Sequence, residues 1–279
     1  MKSIGRLKPV IRLTVILITL ILAGACKSSI KDKAERKKNL FKPIVKEVIE
    51  KKVEEIVYPL PTSFEVTNML NDIGIPYIIG ISNPVENTDR YFTEKSKALN
   101  LGVYGADLSY ASTYNMKQDV MLFLEASKKL TDDLEISAIY NEKLVKEVEE
   151  NIDNKEELVD IITNSFYEVY EYLQKNDRSN LSLMIVAGCW IEALYLTTHV
   201  SSSVYHNYNI VKIIHEQKSS LDKLINILQE YKDDKAISEL LQDLGPIKKV
   251  YDSIDEGLNQ QQVEAIILAI ESVRDKIVS

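Results

Sequence analysis

Leu181 to Leu196 reads LSLMIVAGCWIEALYL, apolar on nearly every side, with a single charge, Glu192. A helix that is apolar all round has to lie at the centre of a fold or inside a membrane. A second stretch, Ala98 to Ala111 (ALNLGVYGADLSYA), has the same character and again one charge, Asp107. Gly102, Gly105 and Gly188 lie inside these stretches, where glycine costs about 1 kcal/mol against alanine. Close approach of two helix backbones is the return for that cost. The two stretches are therefore expected to cross near their glycines and to form the core. Length alone would let 181–200 span a membrane. Glu192 at its middle and the acidic chain around it argue against that.

The rest of the chain follows helical rules. Nine glycines and seven prolines are few for 279 residues, which favours long helices. Capping side chains stand three residues before Glu or Gln at Thr62–Glu65, Asn83–Glu86, Asn115–Gln118, Asn154–Glu157 and Asn259–Gln262. Pro84 falls at a first helical position. Gly74 with Pro76, and Gly245 with Pro246, read as stops. These signals predict helices near 63–73, 84–113 with a break around 90–93, 116–134, 139–152, 155–176, 179–200, 207–231, 235–243, 247–257 and 260–277. The only β-like run, Tyr77 to Ile81, is too short to matter. The fold is expected to be all-α, a compact bundle of antiparallel helical hairpins. An irregular α-solenoid is the alternative, disfavoured because no fixed internal period recurs.

The N-terminus carries an address. Lys2, Arg6, Lys8 and Arg12 precede or open a ten-residue apolar run, Leu13 to Leu22, followed by Ala23, Gly24, Ala25 and Cys26. These are the physical parts of a secretory signal. A cysteine directly after the small residues resembles the lipobox of bacterial lipoproteins, although Ala23 stands where that pattern usually has leucine. The resemblance implies cleavage before Cys26, a diacylglyceryl group on its thiol, and a further acyl chain such as palmitate on its amine. Several acyl chains anchor far more firmly than one. Lys27 is not the acidic residue that holds such lipoproteins at the inner membrane, so the resemblance points to the outer membrane, facing the periplasm. The expected organisation is a signal peptide over 1–25, a lipidated cysteine with a basic tether and first amphipathic helix over 26–60, and a helical domain over 61–279.

Charge fits that layout. Residues 27–56 carry a net charge near +4, and residues 57–279 one near −16. A basic tether beside an anionic lipid surface and an acidic body beyond it are compatible. An acidic body argues against nucleic acid as a partner. With Cys26 acylated, Cys189 has no disulfide partner within the chain and is expected to be buried.

Motifs for chemistry are sparse. The sequence has no G-x-S-x-G, no H-E-x-x-H and no phosphate-binding glycine loop. His206 and His215 lack the spacing of a helical metal pair. No catalytic residue, metal ligand or cofactor is assigned. The candidate positions are the polar residues of the two apolar helices. Tyr104, Asp107 and Tyr110 share one helix face, with Tyr114 further along, and Glu192, Tyr195 and His199 share another. A carboxylate within an apolar helix must be hydrogen-bonded, paired or neutral. Two readings follow: a register-fixing role in the core, or a polar pocket around Asp107 and Glu192 for a small ligand. Trp190, the only tryptophan, reads as core rather than as a binding platform. The C-terminal stripe Val263, Ile266, Ile267, Ile270, Val273 and Ile277 is expected to pack on the body.

The stretches ALNLGVYGADLSY and G-x-WIEALY resemble a family of exported all-helical bacterial lipoproteins over about 60–279. That resemblance implies fold and location, with no activity, cofactor or site residues attached. The function expected is a membrane-anchored periplasmic scaffold or partner-binding module, non-catalytic, with an envelope protein as partner. A small-ligand-binding protein is the alternative.

Overall fold

The computed structural model describes residues 63–202 and 204–279. The signal, Cys26, the basic tether and the amphipathic helix expected near 39–57 all lie outside the described residues. Every described regular element is helical: α1 (Ser63–Asp72), α2 (Glu94–Thr113), α3 (Lys117–Asp133), α4 (Glu142–Glu150), α5 (Lys155–Lys175), α6 (Ser179–His199), α7 (Tyr208–Glu230), α8 (Lys235–Asp252) and α9 (Gln260–Val278), with short 3-10 turns at Val85–Arg90 and Val204–His206. The protein is all-α.

α2 and α6 form the centre. α2 buries every residue from Ala98 to Thr113. α6 is long and apolar enough to cross a membrane by composition, yet 83% of that window is buried inside the protein. Glycine explains how the two meet. A Cβ on Gly102 would fall 2.0 Å from the Ile185 carbonyl oxygen, and one on Gly188 would fall 2.0 Å from that of Leu99. Backbone lies against backbone, as the sequence leads one to expect. Position 99 faces 188 and position 102 faces 185, so the two helices run antiparallel. Gly105 serves a different neighbour: a Cβ there would lie 1.8 Å from the ring of Phe166 on α5. α1, α3, α5, α7 and α9 pack on this pair, while α4 lies on α5 and α8 on α7 and α9, each with an apolar stripe turned inward. In α9 that stripe is Val263, Ile266, Ile270, Val273 and Ile277, and α9 packs on α2, α6 and α8.

One neighbouring pair departs from the hairpin pattern. Ser63 bonds Ser109 through their hydroxyls at 2.7 Å, and Thr67 bonds Thr113 at 3.0 Å. Both partners advance by four, so α1 and α2 lie parallel. Parallel neighbours need a return leg, and the segment between them supplies it.

Three local expectations are corrected. Asn83 does not cap a helix: it is fully buried, and the 3-10 turn begins after Pro84. α2 starts later, at a Thr93–Ser96 capping box. Asn115 ends α2 instead of starting α3. Its φ is +56, and the amides of Asn115 and Met116 return to the carbonyls of Ser112 and Ala111, the pattern of a left-handed helix terminus. Residues 235–243 and 247–257 do not form two helices, because α8 runs through Pro246 to Asp252. Proline costs about 3 kcal/mol inside a helix. Leu240, Leu244, Ile247 and Tyr251 bury one stripe that spans the proline, and each such side chain is worth roughly 1.5–3 kcal/mol. Gly245 also spares the clash that a Cβ before proline would create. Asn154 and Asn259, in contrast, cap α5 and α9 as their spacing predicts.

Candidate functional site

The polar face of α2 grips a peptide segment. Tyr104 donates its hydroxyl proton to the Pro84 carbonyl at 2.8 Å. Asp107 Oδ2 accepts from the Asn83 amide at 3.1 Å. The Tyr110 hydroxyl accepts from the Ile78 amide at 2.9 Å, and Tyr114 donates to the Ile75 carbonyl at 2.8 Å. As the helix positions rise from 104 to 114, the bonded positions fall from 84 to 75. The 75–84 segment therefore runs antiparallel along α2, which makes it the return leg between the parallel α1 and α2. The sequence expectation that Tyr104, Asp107 and Tyr110 share a face holds, and what they hold is backbone of their own chain.

Tyr77 adds to the grip. Its ring stacks on Tyr110 with centroids 4.6 Å apart, and its hydroxyl donates to Asp119 at 2.7 Å. At the end of the segment, Asn83 donates to the Tyr91 hydroxyl at 2.9 Å and accepts from Asn87 at 2.7 Å. Ile81 N–H bonds the Ile78 carbonyl at 3.5 Å, and Gly80 takes φ +80. That is a turn with glycine where a left-handed residue is needed. Ile79, at the turn's second position, is 85% exposed, and Phe92, beside the start of α2, is 84% exposed.

Asp107 and Glu192, both fully buried, belong to one cluster. The residue that sequence reasoning missed is Arg274 of α9. Its Nε and Nη2 donate to the two carboxylate oxygens of Glu192 at 2.9 and 3.1 Å. Its guanidinium also lies 4.2 Å over the Tyr195 ring, which stacks in turn on His199 at 4.0 Å. His199 Nδ1 stays local, 2.9 Å from the Tyr195 carbonyl oxygen. A signal for Arg274 was present. Val263, Ile267, Ile270, Arg274 and Ile277 alternate by four and three, so this arginine occupies a stripe position that an apolar residue would ordinarily fill.

Electrostatics set the protonation of the cluster. Burial pushes the Asp107 carboxyl well above the usual carboxylate range, and the Glu192 charge pushes it further. Burial also raises Glu192, with Arg274 working against that rise. The Arg274 guanidinium stays charged: burial opposes its charge, and Glu192 more than restores it. Two carboxyls beside one guanidinium are neutral overall when Asp107 keeps its proton. Among the described residues Asp107 Oδ1 is buried without a hydrogen bond, and the Asn83 amide and the Ser82 hydroxyl offset only part of the rise. A proton on Asp107 would give it a donor of its own beside the Glu192 carboxylate, which lowers the Glu192 pKa in turn.

The same region latches the C-terminus. Asn100 donates to the Ile277 carbonyl at 2.7 Å, and Tyr91 to that of Val278 at 3.4 Å. These carbonyls are among the last four of α9, which have no partner within the helix.

A separate cavity of about 80 Å³ lies among α1, α2, α5 and α6. Phe64, Phe166, Tyr170, Ile185, Val186 and Trp190 form much of its wall. None of Tyr104, Asp107, Tyr110, Glu192, Tyr195 or His199 lines it. Cys189 does; it is half-buried rather than buried as expected, and the desolvation it meets pushes its thiol up, which keeps it protonated and a poor nucleophile. Among the described residues, no three His, Cys, Asp or Glu side chains gather as a metal site.

No protein-family model, curated protein or solved structure matches the chain.

Proposed function

We propose that the chain is a lipid-anchored helical module of the bacterial envelope that binds a protein partner and catalyses nothing. The anchor reading rests on Leu13 to Cys26, with the outer membrane, facing the periplasm, as its place. The observation that carries partner binding is the gripped 75–84 segment. Residues 73–93 join α1 to α2 with only a 3-10 turn of their own, Val85–Arg90, a longer connection than most in a compact domain, and long connections are often functional. Here the Tyr104, Asp107, Tyr110 and Tyr114 side chains are committed to that backbone, and the result is a stiff presentation of Ile79. A stiff loop loses little freedom on binding, and an exposed isoleucine suits an apolar pocket on a partner.

Two measurements test this. A photo-crosslinking residue at Ile79 in living cells should capture one defined protein, and the same residue at exposed Glu256 should not. Equal capture at both sites, or none at Ile79, removes the partner reading. Labelled palmitate should enter the chain and be lost in Cys26→Ser. Retention of label in that variant removes the anchor.

A further inference from the structure

The cavity among α1, α2, α5 and α6 is independent of the gripped segment and of the Asp107–Glu192–Arg274 cluster. Among the described residues no charged side chain stands in its wall, so a charged group that entered would have no counter-ion from them. Five aromatic rings line it, from Phe64, Phe166, Tyr167, Tyr170 and Trp190. Its serine hydroxyls are already committed: Ser63 bonds Ser109 at 2.7 Å, and Ser182 donates to the Ser179 carbonyl at 2.8 Å. The space is partly open to the surface and measures about 80 Å³. An apolar cavity of roughly 150 Å³ encloses benzene, so this one takes a segment of a few carbons rather than an enclosed ring. Its opening leaves the remainder of the guest outside. Gly105 is part of the construction: with no Cβ, it lets the Phe166 ring lie against α2 and shape the wall.

We propose that this cavity is a binding site for the hydrocarbon end of an alkyl or acyl chain, with the polar head of the guest left at the mouth.

Trp190 is the only tryptophan and lines the cavity, so its fluorescence reports on this place alone. The purified full chain, kept in solution with cholate in place of an alkyl-chain detergent, is titrated with 11-bromoundecanoate, whose bromine quenches tryptophan on contact. Saturable quenching is expected, with none from undecanoate. 2-Bromododecanoate, with its bromine beside the carboxylate, should quench several-fold less. Val186→Phe and Thr163→Leu, at partly exposed wall positions, should each weaken the quenching at least tenfold. Absence of saturable quenching overturns the proposal, as does equal quenching by the two bromine positions, or quenching that both filling variants leave intact. Stabilisation by benzene with no quenching by the bromo chain would also overturn it. If a filling variant loses helicity, the comparison of bromine positions in the parent chain still decides.

Discussion

Arg274 and Glu192 meet through two parallel hydrogen bonds of 2.9 and 3.1 Å, in an interior where Glu192 has no exposed surface. The pair joins the penultimate turn of α9 to the middle of α6. Breaking one side of such a pair costs about 3–5 kcal/mol, because a charge is left buried without its partner. Arg274→Ala should lower unfolding free energy by that much in urea titration. Replacing both residues, as Glu192→Leu with Arg274→Met, should recover much of the loss. A double variant no better than Arg274→Ala would mean that packing, rather than the stranded charge, dominates.

Asp107 gives the stability a pH dependence. Its folded-state pKa is raised by burial and by Glu192, above an unfolded value near 3.9. The folded state then binds the proton more tightly, so stability is fully present below that unfolded value and falls as pH rises toward the folded one. Asn at this position keeps an oxygen for the Asn83 amide and cannot ionise. The stability of the parent chain relative to Asp107→Asn should therefore decline from about pH 4 upward, measured by denaturant titration across pH. A difference that is flat or rising with pH would show that Asp107 is ionised in the folded protein.

The α2–α6 crossing tolerates nothing larger than hydrogen at its contact points. Gly188→Ala would place a carbon 2.0 Å from the Leu99 carbonyl oxygen, and neither backbone can yield without moving its helix. The loss should be about 3 kcal/mol or more, beyond ordinary overpacking. Thermal unfolding of Gly188→Ala near that of the parent would show that the helices stand further apart.

The grip on the 75–84 segment can be loosened one bond at a time. Tyr110→Phe leaves the half-buried Ile78 amide without its acceptor, at a cost of about 1 kcal/mol. The distinctive result is local: amide exchange at Ile78 and its neighbours should quicken, while exchange in α6 changes little. Uniform acceleration across the protein would make Tyr110 a general core residue instead.

The central crossing was legible because all-round apolarity and embedded glycine are local signals. So was the shared face of Tyr104, Asp107 and Tyr110, which follows from helical period alone. What they bond was not legible, since the 75–84 segment has no periodicity that reveals a direction. Its antiparallel run also makes α1 and α2 parallel, against the usual hairpin. Asn115 was misread for a chemical reason: asparagine both caps helix starts and tolerates the left-handed terminus. At Gly245–Pro246 a local stop signal lost to a tertiary one, the buried stripe through Tyr251. Arg274 stood at an apolar stripe position, but only the fold could say which acid it faces.

The left-handed termini offer a change of opposite sign. Glu135 follows α3 with φ +59, a conformation that crowds a Cβ against backbone. The terminus itself is made by backbone alone, with Glu135 N–H bonded to the Asp132 carbonyl at 3.1 Å and Ile136 N–H to that of Thr131 at 2.9 Å. The Glu135 side chain is exposed, so little packing is lost with it. Glycine removes the crowding, and the greater freedom of the unfolded chain takes back part of the gain. Glu135→Gly should stabilise by about 0.5–1 kcal/mol. That corresponds to a rise in Tm of roughly 1–4 °C at this size. Gly74, at φ +77, is the reverse case, and Gly74→Ala should lower Tm. A lower Tm for Glu135→Gly would mean that the glutamate makes a contact worth more than the strain it carries.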